Sequence, residues 1–168
     1  AERHPNTHVR LVKALLRAAW WLDAEHNGNR REAARMLAKP EYVGADEQVI
    51  ASSMTGTFEY AKGDKRQLPD FNVFFRHHAT YPYYSDAIWY LTQMRRWGQI
   101  PEARPDAWFE QVAKAVYQPG VYRQAAEALI AEGKLKASDF PDFASEQGYR
   151  DPQDGFIDGL IYDGRHPN

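Results

Sequence analysis

At 168 residues, with a formal net charge of −2 and 26% charged side chains, the chain is one domain's worth of polypeptide, with no strong field to select nucleic acid or an anionic membrane as partner. The absence of cysteine excludes disulfide scaffolds, thiolate metal sites and cysteine nucleophiles. No apolar run approaches about 18 residues and the opening AERHPNTH lacks the pattern of a signal sequence, so no membrane-spanning or export segment is expected.

Helices in series follow. Thr7 to about Glu25 repeats apolar residues at Val12, Leu15, Leu16, Ala19 and Leu22, with Arg10, Lys13 and Arg17 on another stripe. Pro5 with Asn6 or Thr7 as N-cap starts this helix, and Asn27-Gly28 ends it. A second helix is expected from Asn29 to about Ala38, stopped by Pro40, and a third from about Asp46 through Ser53, entered from Gly44. Between Thr55 and Asp70 the periodicity fails, leaving a long loop with a short extended piece at Thr57 to Tyr60. A helix from Asp70 to about His78 is expected next. Ser85 caps a further helix that Gly98 and Pro101 close, and Pro105 opens another carrying Trp108, Phe109, Val112 and Val116. The paired apolar positions Val121/Tyr122, Ala125/Ala126 and Leu129/Ile130 predict a helix over Gly120 to Glu132, ended at Gly133. The tail DGFIDGLIYDGRHPN predicts a short strand over Phe156 to Tyr162.

On the helix SDAIWYLTQMRRWG, Ala87, Tyr90, Leu91, Met94 and Trp97 form one stripe, with Ile88 and Trp89 toward its sides. That pattern predicts a helix buried on more than one side, with Trp97 in the core; ligand stacking by Trp89 or Trp97 and a protein interface are the alternatives. An aromatic platform for nucleic acid would need a basic groove, and Arg95-Arg96 in a near-neutral chain does not make one.

Searches for catalytic chemistry are negative. The sequence holds no G-x-S-x-G, phosphate loop, G-x-G-x-x-G or H-E-x-x-H, and its carboxylates are spread singly, so no catalytic residue and no cofactor are assigned. Adjacent His77 and His78 diverge in helix or strand, and Pro5 puts His4 outside the helix that holds His8, so neither pair is assigned a metal. Two ligand-facing features remain. The start of the first helix, RHPNTH, offers free N–H groups and the positive dipole end beside Arg3, which makes Arg3, Asn6 and Thr7 the candidate anion contacts. The run SSMTGTF suits close backbone approach, though its plainer reading is helix termination.

Four stretches, HPNTHVRLVKALLRAAWWLD, REAARMLAKPEYVGADEQVIASSMTGTF, SDAIWYLTQMRRWGQIP and FIDGLIYDG, resemble in order the C-terminal part of the nitrate/bicarbonate-type solute-binding proteins of ABC transporters. The resemblance covers essentially the whole chain. It implies a mainly α piece of a periplasmic-binding-protein-like (type II) two-lobe α/β fold, with few short strands. Residues 1–168 would then be helices that pack on a first lobe, the first-lobe sheet and the second lobe lying outside the chain. It further implies capture of a small oxyanion (nitrate, nitrite or bicarbonate), delivery to a membrane permease, no chemistry on the ligand, and residence in the periplasm or on the outer face of the inner membrane. The same resemblance fits a cytoplasmic nitrate-sensing or regulatory domain, stand-alone or fused to the transporter ATPase. An unrelated helical interaction domain is the third possibility. The aromatic helix face is, on this resemblance, the face that meets the first lobe.

Overall fold

The computed structural model describes residues 3–151 together with 159, 161, 162 and 164. Among them are six α-helices, one two-stranded hairpin and two short 3₁₀ turns, so the chain is mainly α with few strands, as the periodicities require. The strand expected over Phe156 to Tyr162 falls largely outside the described residues. Two compact units divide the chain: residues 14–80, and residues 1–13 with 81–168.

The unit of residues 14–80 contains most of α1 (Pro5–Asn27), then α2 (Arg30–Leu37), α3 (Glu47–Thr55) and the antiparallel strands β1 (Thr57–Ala61) and β2 (Asp64–Gln67). Of the expected α1 stripe, Leu16 is buried, Ala19 and Leu22 are half-buried and Leu15 is exposed. The buried face runs from Leu16 to Asp23, two turns on, and Leu15 lies one residue, about 100°, off it. α1 leaves helical geometry at Ala24 (ψ 158°), and Glu25, His26 and Asn27 all have positive φ. α3 starts as expected, with the Asp46 side chain accepting from the N–H groups of Gln48 (2.8 Å) and Val49 (3.2 Å). The expected extended piece is β1. Its partner β2 was read as irregular chain, because DKRQ has no apolar alternation and all of it but Asp64 is exposed. Gly56 joins α3 to β1 at φ 68°, where a Cβ would lie 1.9 Å from the Leu68 carbonyl oxygen.

The helix expected over Asp70 to His78 is absent; only a 3₁₀ turn, Arg76–His78, forms. Three successive N–H groups, of Phe74, Phe75 and Arg76, instead donate to one carboxylate oxygen of Asp23, and His77 and His78 turn to positive φ.

The other unit holds the first turns of α1, then α4 (Tyr84–Arg96), α5 (Asp106–Val116) and α6 (Pro119–Ala131). Ile88 and Ala87 of α4 pack with Phe109 and Ala113 of α5, and Tyr84, Leu91, Trp108, Tyr117 and Tyr149 close around them. The paired positions of α6 behave as predicted, with Tyr122, Ala125, Ala126 and Leu129 all buried. Tyr81 stacks edge-on against Tyr83 and Tyr122, at 4.6 and 5.1 Å between ring centres. α6 ends where Gly133 (φ 64°) lets the Gly133 and Lys134 N–H groups return to Ile130 and Leu129.

Two expectations for α4 are corrected. Ser85 is not its cap: the helix starts at Tyr84, and the buried Ser85 hydroxyl accepts the Arg150 N–H at 3.1 Å. Nor is α4 buried on more than one side. Its buried face is centred on Ala87 and Ile88, with Leu91 half-buried, whereas Tyr90 (57% exposed), Met94 and Trp97 (75% exposed) face outward. The stripe was drawn about one residue away from the contact that α5 provides.

Candidate functional site

α1 begins at Pro5, and the first helical hydrogen bond runs from the His8 N–H to the His4 carbonyl (3.1 Å). The cap position is therefore His4, not Asn6 or Thr7, and Pro5 occupies the first helical position, where its missing N–H costs nothing. Arg3, Asn6 and Thr7 are all exposed, and no acidic residue stands in the first turn to neutralise the dipole. This end of α1 offers a positive field to an anion, in full contact with water.

SSMTGTF proves to be a helix ending. The Ser52 hydroxyl donates to the Gln48 carbonyl and the Thr55 hydroxyl to the Ala51 carbonyl, each at 2.7 Å, and Thr55 lies 3.1 Å from the Thr57 hydroxyl. The first two bonds lie within α3, and the Thr55–Thr57 contact ties α3 to β1. Among the described residues no group of three or more His, Asp or Glu is placed to hold a metal ion.

A cleft of about 140 Å³ lies between α4 and α5, lined by Ala87, Tyr90, Leu91, Val112, Val116 and Tyr117 among others. Its lining is apolar save for two phenols, and burial raises the pKa of the Tyr117 hydroxyl, with Tyr90 and Asp86 adding to the effect. It suits an apolar side chain and lacks the cations and N–H donors a small oxyanion needs.

Among the described residues, the one buried charged constellation is in the other unit and escaped the sequence reading. Arg30, 0% exposed, donates from Nε to the Leu22 carbonyl (3.2 Å), from one Nη to the Met54 carbonyl (3.1 Å) and from the other to Asp23 Oδ1 (2.5 Å), and it lies 5.1 Å from the Phe74 ring. Asn29 donates to the Trp21 carbonyl at 2.8 Å. Asn29 and Arg30 thus take the carbonyls left unpaired where α1 stops, and Arg30 also caps the C-terminal turn of α3, placing its charge at two negative helix ends. Burial alone would raise the Asp23 pKa. The N–H groups of Arg76 and Phe75 and the Arg30 guanidinium outweigh it and hold Asp23 below the ordinary aspartate value. With every strong partner already internal, this constellation holds loops in place and is not a ligand site.

Together these features describe a mainly helical piece, and its fold has a counterpart in part of a solved structure. The crystal structure of the periplasmic nitrate-binding protein NrtA from Synechocystis PCC 6803 matches 95% of this chain and 38% of its own at a TM-score of 0.70 and 23% identity, a likeness of fold. In sequence, the chain is 34% identical over 128 residues to the nitrate import ATP-binding protein NrtC of Synechocystis sp. PCC 6803, covering 76% of this chain and 18% of that protein. It is 27% identical over 168 residues to the nitrate/nitrite binding protein NrtA of Nostoc sp. PCC 7120, covering 99% of this chain and 35% of that protein. No family model matches. Along 99% of its length the chain is similar to nitrate/nitrite and bicarbonate binding proteins, and it spans about a third of the length of those relatives.

Proposed function

We propose that the chain is the C-terminal part of a solute-binding protein that captures a small oxyanion (nitrate, nitrite or bicarbonate) for an ABC transporter. The observation that carries this is similarity to a nitrate/nitrite binding protein along 99% of the chain, against 76% for the ATP-binding relative. The fuller coverage favours a binding protein over a transporter ATPase. Its partners are then the anion and a membrane permease, its place is the periplasm or the outer face of the inner membrane, and it performs no chemistry on the ligand.

A planar oxyanion is held by several N–H donors and one or two cations in a closed cleft. Arg3, Asn6 and Thr7 at the open end of α1 supply one edge of such a site, and the remaining donors come from lobes outside these 168 residues. The exposed α4 face of Tyr90, Met94 and Trp97 is the surface that packs on the first lobe.

Calorimetric titration with nitrate and with bicarbonate tests this on the purified chain and on its intact parent. The chain alone should bind no more tightly than about 1 mM, or about −4 kcal/mol, and the parent far more tightly. Micromolar binding by the chain alone would refute the two-lobe argument, and a parent that binds neither anion would refute the function.

A further inference from the structure

We draw no further inference here: the strongest candidate, the apolar cleft between α4 and α5 beside the exposed side chains of Tyr90, Met94 and Trp97, belongs to the face already assigned to the rest of a binding protein, and nothing in the structure shows what covers it.

Discussion

The two units solve the problem of holding short helices together in opposite ways. In residues 81–168, apolar and aromatic side chains do it: Phe109, Leu129, Ala125 and Ala126 are fully buried, and the tyrosines ring them. In residues 14–80 the largest fully buried side chain is an arginine, and its partner Asp23 organises a non-helical segment some fifty residues further on. Apolar packing is non-directional and tolerates adjustment, whereas a buried ion pair stabilises only while every hydrogen bond around it is made. The units should therefore fail differently.

Arg30→Ala tests the charged unit most directly. It leaves the Asp23 carboxylate buried without its cation and strips the Leu22 and Met54 carbonyls of a donor, so a loss of about 3–5 kcal/mol is expected in urea unfolding. Amide exchange should rise first at Phe74, Phe75 and Arg76, whose N–H groups Asp23 holds. A loss below about 1 kcal/mol would mean that water reaches the pair.

Phe109→Ala is the matching test of the aromatic unit. With Phe109 at 0% exposure, removing the ring should cost about 3–5 kcal/mol. Here the accelerated exchange should appear in α4 and α5 rather than at 74–76, and the loss should be the same at pH 7 and pH 4.

Acid separates the units further. A carboxyl whose folded pKa lies below its unfolded one contributes stability that is complete above the unfolded value, near 3.8, and is lost as the pH falls through the folded value. Asp23 is such a group, so the chain should lose stability in residues 14–80 as the pH drops below about 4. The difference between the wild type and Asp23→Asn should shrink over the same range. A constant difference down to pH 2 would assign the acid sensitivity to other carboxylates.

Which parts could be read from the sequence follows the same division. Where apolar spacing sets the structure, as in α6 with its pairs at 121/122, 125/126 and 129/130, the helix and its buried face were both legible. Asp46 and Gly133 marked helix ends because cap chemistry is local. The segment 70–78 was misread because the side chain that decides it lies some fifty residues earlier, and no window on FNVFFRHH contains Asp23. One signal was available: Asp23 stands seven residues after Leu16, on the packing face of α1, and a carboxylate there demands a partner. For the candidate site, the sequence identified an anion-favouring helix start but set its cap two or three residues late. Pro5 is compatible with the first helical position as well as with a loop, and spacing alone does not choose between them.

The smallest expected effect falls within the aromatic unit and tests where its core stops. The stripe on α4 predicts a Trp97 whose loss would cost several kcal/mol; at 75% exposure, Trp97→Ala should change stability by no more than about 0.5 kcal/mol. Its only ring contact among the described residues is the Arg96 guanidinium, 6.0 Å from the ring centre, a partner itself exposed and of small energetic consequence. An exposed Trp beside Tyr90, Met94 and Arg96 has the composition of a binding hot spot, so the substitution should matter where a second surface covers it. In the intact parent, Trp97→Ala should therefore destabilise by about 2 kcal/mol or more, while in the isolated chain it is neutral. Equal and small effects in both proteins would show that the first lobe does not rest on α4, and a large effect in the isolated chain would restore Trp97 to the core.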